Sequence, residues 1–404
     1  MKILQINTLY GAGSTGKIVR NLQRYAIKRN HDILVAYRFA EGKIQKNSLP
    51  ISSWLDCHIH NRLAMITGLQ GCFSLFKTWF FLKKIRKYSP DIIHLHNIHG
   101  SYINHRMLFN FIKKYHIPVV WTLHDCWAFT GGCPHFDGYS CNKWEHGCKN
   151  CPHFAQREGA FFDTSSFVHR KKKKWFSGVN DMTLVCPSQW LANLVGKSFL
   201  KNYPVEIIPN GIDLEVFHPV EDDFRKKYGL ESKKILLGVS FGWNRKKGLD
   251  VFVELERRLP PDYQIVLVGT SESIDAILPK NILSIHRTEN QQELAGIYSA
   301  ADLFVNPTLE ENYPTVNMEA IACGTPVITF RTGGSPETID ETCGCVVEIG
   351  DIDALEHEII RICEKKVFHK EACLKKAAEH DINLFYKEYL ELYERINIGR
   401  NKTN

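Results

Sequence analysis

The sequence predicts an α/β protein with two doubly wound parallel sheets. Short runs rich in β-branched residues alternate with segments long enough for a helix, which is the pattern of parallel strands joined by crossover helices. This pattern occurs twice, once on each side of a connection near residue 205. A length of 404 residues also exceeds the usual size of one hydrophobic core, so two domains are expected.

The predicted strands follow one another in two series. The first series is Lys2–Asn7, Asp32–Tyr37, Ile92–His96, Val119–Leu123 and Thr183–Cys186. The second series is Ile235–Val239, Gln264–Gly269, Leu283–His286, Leu303–Asn306 and Pro326–Phe330. Ligands of such sheets bind outside the carboxyl ends of the strands, so the residues just after each strand are the candidate site residues.

Domain boundaries follow from the same pattern. An N-terminal domain is predicted over 1–204, with a cysteine-rich insertion at 126–153, and a C-terminal domain over 205–380. The tail at 381–404 is predicted to be a helix, because its apolar residues recur at helical spacing.

Composition indicates a globular protein of a reducing compartment. Apolar residues make up 44% of the chain and charged residues 24%. No run reaches the roughly 18 to 20 apolar residues that span a bilayer, and the N-terminal apolar run is too short for a signal peptide. We therefore expect a cytoplasmic location, in which the thirteen cysteines are mostly reduced.

The net charge of +7 is unevenly distributed. Residues 73–87 combine aromatic side chains with a basic end, and Arg170–Lys174 is an unbroken cationic run followed by Trp175 and Phe176. Such segments suit an anionic membrane surface, although core helices with solvated lysines have the same composition. Nucleic-acid binding is not expected, because no recognition fold accompanies the charge.

The most informative stretch is residues 310–328, EENYPTVNMEAIACGTPVI. It places Glu311 just before a short predicted helix and Glu319 within it, ahead of a helix stop at Gly324 and Pro326. A helix N-terminus attracts phosphate, and carboxylates beside it accept hydrogen bonds from sugar hydroxyls. A solvated acidic helix face is the alternative interpretation of the two glutamates.

This stretch resembles the donor-site motif of family 4 retaining glycosyltransferases, Glu-Gly-Phe-Gly, four residues, Glu-Ala, then Cys-Gly-Xaa-Pro-Val. The matching residues are Glu311, Glu319, Ala320, Cys323, Gly324, Pro326 and Val327. The resemblance implies the GT-B fold, in which two Rossmann-like domains face a cleft and the last helix crosses back to the N-terminal domain. It also implies that Glu311 contacts the donor sugar and Glu319 the ribose diol. The motif's Gly-Phe-Gly is replaced by residues 312–314, Asn-Tyr-Pro, and the proline removes one backbone N–H that could contact phosphate.

Two strand ends of the first half carry candidate residues. Gly13 and Gly16 lie in a glycine loop that follows the first strand and opens a helix, where a backbone can approach a phosphate closely. A tight turn alone would also explain this loop; the resemblance assigns it to the donor phosphates. His124 follows the strand at 119–123, and the resemblance implies that it contacts the donor sugar, with Asp125 as an orienting residue or an acceptor contact. His96 follows the neighbouring strand and is a candidate for the acceptor side, with core packing or loop capping as the alternative.

Arg245 and Lys247 follow the first strand of the second half. Cationic side chains there can neutralise a diphosphate leaving group, whereas a basic turn exposed to water is the alternative. Lys247 matches the lysine of the resembling family. The family's arginine directly after the strand falls near Phe241, so Arg245 is the substitute candidate.

Four cysteines lie close together in the predicted insertion, and we call them the cysteine cluster: Cys133, Cys141, Cys148 and Cys151. Four thiols in a reducing compartment predict a structural zinc ion, with disulfides or free thiols as alternatives. No catalytic metal is expected, since the resemblance implies that side chains and helix ends stabilise the leaving diphosphate.

The resemblance implies a retaining glycosyltransferase that moves a sugar from a nucleoside-diphosphate sugar to a glycan hydroxyl, with His124 and Glu311 at the reacting sugar. Similarity to bacterial polysaccharide enzymes of the colanic acid and O-antigen type predicts a lipid-linked acceptor at the inner face of the cytoplasmic membrane. Two alternatives remain: a GT-B sugar-phosphate synthase or nucleotide-sugar epimerase, and an inactive glycan- or nucleotide-binding module. The donor sugar, the base and the linkage are not specified by the sequence.

Overall fold

The computed structural model describes residues 1–136, 141–154 and 161–403, with side chains as far as residue 399. Residues 137–140 of the predicted insertion, and residue 404 of the predicted tail helix, lie outside this part. The chain forms two compact units. The first runs to Ile208 and also includes the C-terminal stretch from Tyr386, and the second is Pro209–Phe385.

The first unit is built on a seven-stranded parallel sheet with the order β3-β2-β1-β4-β5-β6-β7. Its strands are β1 (Lys2–Tyr10), β2 (Asp32–Ala40), β3 (Ser48–Pro50), β4 (Ile92–Leu95), β5 (Val119–Thr122), β6 (Met182–Cys186) and β7 (Val205–Ile207). Every residue of β4 and β5 is buried, as expected for central strands covered by helices on both faces. The strand order reverses between β1 and β4, which is where ligands of doubly wound sheets bind.

Six helices of the first unit are α1 (Gly13–Ile27), α2 (Trp54–Thr67), α3 (Leu75–Tyr88), α4 (His105–Tyr115), α5 (Ser165–Phe176) and α6 (Gln189–Lys197). Side-chain caps fix several helix starts: Asn104 accepts a hydrogen bond from the Met107 amide at 3.0 Å at the start of α4. The core beneath α4 and α5 is aromatic. Phe176 packs edge-on against Trp121, with ring centroids 5.0 Å apart.

The second unit contains a six-stranded parallel sheet with the order β10-β9-β8-β11-β12-β13. Its strands are β8 (Lys234–Val239), β9 (Tyr263–Val268), β10 (Leu283–Ile285), β11 (Leu303–Asn306), β12 (Val327–Phe330) and β13 (Gly344–Val347). Its helices are α7 (Phe224–Lys227), α8 (Leu249–Arg258), α9 (Glu272–Asp275), α10 (Gln291–Ala300), α11 (Thr315–Ala322), α12 (Ile352–Lys365) and α13 (Lys370–Ala378). The strand order reverses between β8 and β11, so the loops after these two strands lie side by side. The predicted α/β class with two parallel sheets is confirmed.

The last helix, α14 (Ile382–Thr403), joins the first unit from Tyr386 onward. The Tyr389 hydroxyl lies 2.7 Å from Thr122 Oγ1, and the Tyr393 hydroxyl lies 2.5 Å from His94 Nδ1. All four side chains are buried. The helix is therefore attached to β4 and β5 by hydrogen bonds as well as by apolar packing. None of the helices in the described residues combines the length and the apolar content needed to cross a bilayer.

Candidate functional site

Residues 310–328 form the loop after β11, the helix α11 and the strand β12. The helix starts at Thr315, after Pro314 with φ of −72°. A proline suits this position because its missing N–H would have no partner inside the helix. Gly324 ends the helix with φ of +83°. Glu311 therefore precedes the helix and Glu319 lies within it, as the sequence pattern predicts.

The structure brings Lys247 and Glu311 together. Lys247 Nζ lies 3.0 Å from Glu311 Oε2, with 38% and 22% of the two side chains exposed. A second ion pair joins the preceding residues of the same two loops, with Lys246 Nζ 2.9 Å from Glu310 Oε2. The loops after β8 and β11 are also joined by a backbone hydrogen bond from Leu309 N to Lys246 O at 2.8 Å.

Two glycines allow this close approach. A Cβ on Gly248, at φ of +75°, would lie 2.5 Å from Pro307 of the β11 loop. A Cβ on Gly333, at φ of +56°, would lie 1.9 Å from the Glu311 carbonyl oxygen. Both positions require glycine for backbone conformation and for space. The Glu311 backbone is therefore held between neighbouring loops, and its Oε1 accepts a hydrogen bond from the Asn312 amide at 3.1 Å.

Glu319 is half-buried, and its carboxylate is oriented by Tyr298 of α10. The Tyr298 hydroxyl donates to Glu319 Oε2 at 2.9 Å. Burial, together with the neighbouring carboxylate, raises the pKa of Tyr298 well above its usual value, so the hydroxyl stays protonated and acts as the donor. This partner was not identified from the sequence, because Tyr298 lies on a different helix.

Arg245 interacts with a different carboxylate from the one that Lys247 contacts. Its guanidinium is 3.7 Å from Asp250, and 85% of its side chain is exposed. Phe241, at the position of the family's arginine, is fully exposed. In the loop after β8, Lys247 therefore contacts Glu311 of the motif, and Arg245 is exposed to solvent.

The glycine loop of the first unit closes with a hydrogen bond from Gly11 N to Gly16 O at 2.9 Å. Gly13 starts α1 with φ of +58°, a conformation that favours glycine. A Cβ on Gly16 would lie 3.1 Å from Leu9 Cβ, so this glycine also permits close packing of α1 on β1. Ala12, at the N-cap, offers no side-chain acceptor, which leaves the first amides of α1 for other acceptors, such as an anion.

His124 belongs to a row of three neighbouring histidines in the first unit, in which the rings of His96 and His124 are stacked. His96 Nδ1 lies 3.1 Å from His124 Nε2, and the His94 and His96 ring centroids are 3.9 Å apart. Burial lowers the pKa of His124 to about 4 and the pKa values of His94 and His96 well below their usual range. All three imidazoles are therefore neutral at pH 7. Within the described residues, the buried Nε2 of His96 has no hydrogen-bond partner.

Asp125 forms hydrogen bonds with a neighbouring histidine and with a backbone amide. Its Oδ2 lies 3.0 Å from His99 Nε2, and its Oδ1 accepts from the Trp127 amide at 2.8 Å. Burial alone would raise the pKa of Asp125, but His99, His135 and the Trp127 amide together outweigh it and lower the pKa to about 2. Asp125 therefore holds His99 and the following turn, and its charge also acts on the neighbouring His124.

The cysteine cluster does not form a ligand set. Across residues 1–136, 141–154 and 161–403, no three His, Cys, Asp or Glu side chains converge as metal ligands would. Cys148 Sγ accepts a hydrogen bond from Gly131 N at 3.2 Å, and all thirteen cysteines, which lie in the described residues, are outside disulfides. The prediction that these cysteines bind a structural zinc ion therefore stays a prediction.

Two family models match the chain. The model described as Glycosyltransferase Family 4 matches residues 15–216, and the model described as Glycosyl transferases group 1 matches residues 233–365. The first covers half of the chain.

Individual relatives agree with these matches. The putative colanic acid biosynthesis glycosyl transferase WcaC of Escherichia coli K12 is 22% identical over 380 residues, covering 90% of each chain. The UDP-Gal:alpha-D-GlcNAc-diphosphoundecaprenol alpha-1,3-galactosyltransferase of Escherichia coli is 30% identical, over 41% of this chain and 46% of its own length. Among solved structures, sucrose-phosphate synthase from Thermosynechococcus elongatus superimposes with a TM-score of 0.73 at 18% identity, covering 98% of this chain and 99% of that one. At that identity the superposition shows the fold alone.

Proposed function

The chain belongs to glycosyltransferase family 4 and has the GT-B fold, and from this membership we propose a specific reaction. The enzyme transfers a sugar from a nucleoside-diphosphate sugar to a hydroxyl of a lipid-linked glycan, with retention of anomeric configuration, in the synthesis of a bacterial surface polysaccharide. The observation that carries this proposal is the contact between Lys247 and Glu311 at 3.0 Å, in which Glu311 lies in the loop just before α11.

Lys247 and α11 provide the positive charge for the donor diphosphate. The Lys247 ammonium group is partly exposed and can exchange its contact with Glu311 for a contact with a phosphate oxygen. The backbone amides at the N-terminus of α11, which begins after Pro314, are further donors to phosphate. In the first unit, the amides at Gly13 and Gly16 are assigned to the same phosphates. Arg245, which is solvated, contributes long-range charge. Developing negative charge on the leaving diphosphate is stabilised by such fixed positive groups.

The two glutamates bind hydroxyl groups of the donor. Glu311 accepts hydrogen bonds from the sugar, and Glu319, oriented by Tyr298, accepts them from the ribose diol. His124 is neutral and is assigned to the donor sugar as a hydrogen-bonding group rather than as a cation. No residue is assigned as a covalent nucleophile. The acceptor hydroxyl attacks on the face from which the diphosphate leaves, and the diphosphate accepts its proton.

The acceptor and the location are inferred from relatives and from surface chemistry. One relative is named for transfer to a sugar on diphosphoundecaprenol, and another for colanic acid biosynthesis. On α3, Phe76, Trp79 and Phe80 are 81%, 44% and 56% exposed, and Lys83 Nζ lies 3.5 Å from the Trp79 ring centroid. Exposed aromatic and basic side chains on one helix suit the interface of an anionic membrane. We place the enzyme at the inner face of the cytoplasmic membrane.

The test is transfer itself. Purified enzyme is incubated with UDP, GDP or ADP sugars and either a sugar linked to a polyprenyl diphosphate or a free sugar phosphate, and the product is identified by mass and by the anomeric configuration from NMR. A retained linkage on the lipid-linked sugar is expected. Turnover with sugar phosphate alone would instead identify a sugar-phosphate synthase. Absence of turnover, with nucleotide still bound, would identify a binding module.

A further inference from the structure

The first unit has a strongly basic layer of three neighbouring helices. Together α3, α4 and α5 contain thirteen Lys and Arg residues and no Asp or Glu. The whole chain has a net charge of only +7, so the rest of the chain is net negative. The positive charge is therefore a local property of this layer and not of the protein's surface in general.

A groove lies between α4 and α5 in this layer, and we call it the α4–α5 groove. Its volume is about 310 Å³, and its lining residues are Arg106, Asn110, Lys113, Lys171, Lys174 and Trp175. The three residues from α4 are spaced four and three positions apart, so they share one face of that helix. On α5, Lys174 and Trp175 lie three and four positions after Lys171, so they lie on the same side of that helix. No carboxylate lines the groove. A larger cavity of about 540 Å³ in the second unit, by contrast, is lined by both Lys233 and Glu256.

The four cations of the groove lack internal counter-ions. Arg106, Lys113, Lys171 and Lys174 form no ion pair with any residue in the described stretches of the chain. Lys113 is partly buried, and burial lowers its pKa. Like charges around one cavity repel one another, and a bound anion would offset that repulsion.

Lys172, on the same helix, is a buried lysine whose ammonium group donates hydrogen bonds to backbone carbonyls. Its Nζ donates to Trp127 O at 2.6 Å and to Thr130 O at 3.3 Å, and it lies 3.3 Å from the Trp127 ring centroid. This side chain is 1% exposed. Among the residues that the structure describes, the lysines of the groove have no comparable carbonyl partners, which distinguishes them from Lys172.

We propose that the α4–α5 groove binds a phosphate or diphosphate group. Arg106 supplies a guanidinium suited to bidentate contact with phosphate oxygens, the three lysines supply point charges, and the Asn110 amide supplies a neutral donor. The volume is at the lower end of the roughly 300–1,000 Å³ of small-molecule sites, which suits a compact anion. The groove lies on helix faces of the first unit, whereas the donor diphosphate is assigned to strand-end loops, so the two phosphate sites are separate.

A charge-matched pair of variants tests this site. The groove variant combines Lys113→Gln, Lys171→Gln and Lys174→Gln. The flank variant combines Lys114→Gln, Arg170→Gln and Lys173→Gln, which removes three charges from the same two helices without altering the lining of the groove. Inorganic diphosphate is titrated into each protein by calorimetry, in a Lys247→Met background that weakens binding at the donor loops. Thermal unfolding confirms that both variants fold, and the exposed single change Lys174→Gln replaces the groove variant if it does not.

The expected result is saturable diphosphate binding that weakens at least tenfold in the groove variant and less than twofold in the flank variant. Equal weakening, or no saturable binding to the parent protein, would overturn the proposal, as would tighter binding of duplex DNA than of diphosphate. Vesicles of phosphatidylglycerol and of phosphatidylcholine then distinguish the sources of phosphate. Loss of phosphatidylglycerol binding in the groove variant alone identifies a lipid headgroup, and diphosphate binding without vesicle binding identifies a soluble phosphate ester.

Discussion

Replacing Glu311 by Gln is predicted to impair catalysis more than stability. The carboxylate lies 3.0 Å from Lys247 Nζ, and both side chains are partly exposed. At this distance the Coulomb energy is about 1.4 kcal/mol with the dielectric constant of water and about 5.5 kcal/mol with an effective value near 20. Desolvation and side-chain entropy offset most of it, so partly exposed pairs contribute about 0.2 to 1 kcal/mol. We therefore expect a loss of no more than about 1 kcal/mol, or roughly 2–4 °C in Tm.

The effect on activity follows from the lost charge. Glutamine keeps the size of the side chain and one acceptor oxygen, so a hydrogen bond of about 1.5–3 kcal/mol to a charged group is replaced by a neutral one of about 0.5–1.5 kcal/mol. The difference of about 1–1.5 kcal/mol in the transition state lowers kcat/KM by roughly 5- to 13-fold. The assay is release of nucleoside diphosphate from the preferred donor, with unfolding followed by calorimetry on the same samples.

The neighbouring ion pair provides the control. Glu310 lies 2.9 Å from Lys246, in the same two loops, and has no assigned contact with the donor. Glu310→Gln should cost a similar amount of stability and leave kcat/KM within about twofold of the parent value. Equal losses of activity in the two variants, or full activity in Glu311→Gln, would refute the assigned role of Glu311.

Three further predictions concern stability and metal content. Tyr393→Phe leaves the buried His94 Nδ1 without its hydroxyl partner, so we expect a loss of about 1–3 kcal/mol in urea unfolding, and an unchanged midpoint would contradict it. Burial lowers the pKa values of His60, His105 and His124 to about 4, 3 and 4, so between pH 6.5 and 4 the unfolded state binds more protons. The free energy of unfolding contributed by these neutral histidines should be fully present above pH 6.5 and fall toward pH 4, by on the order of 3 kcal/mol for His124 alone. A free energy of unfolding that does not change over this pH range would show that these histidines are not buried in the neutral form. If the cysteine cluster holds zinc, elemental analysis under reducing conditions gives about one zinc per chain, and a value near zero removes that prediction.

The sequence was sufficient for the strands at the centre of each sheet. β4, β5 and β11 are short apolar runs, because both of their faces are covered. The strands that the pattern missed, β3, β7 and β13, are all at sheet edges. Edge strands pair on one side only and need fewer apolar residues: β3 ends in Pro50 and β13 begins with Gly344. Their sequences therefore resemble loops.

For the candidate site, position along the chain was predictable and partners were not. Lys247 and Glu311 each follow a predicted strand, but their contact depends on β8 and β11 being neighbours, which local patterns do not specify. The same holds for Tyr298 and Glu319, which lie on different helices. The hydrogen bonds of Asp125 to His99 and Trp127 were likewise not specified by the sequence. The histidine-rich stretch at 94–99 contains the partners of His124 and Asp125. Which residues pair depends on β4 and β5 being neighbours in the sheet.

The most direct test of the account is a thermal-shift screen of UDP, GDP, ADP and their sugars. A ligand at 100 times its dissociation constant adds roughly 2.7 kcal/mol of stability, which raises Tm by several degrees. We predict that one nucleoside diphosphate sugar raises Tm, that Glu319→Gln reduces the shift and that Glu310→Gln retains it. No shift with any nucleotide, or an equal shift in Glu319→Gln, would contradict a nucleotide-sugar site at α11.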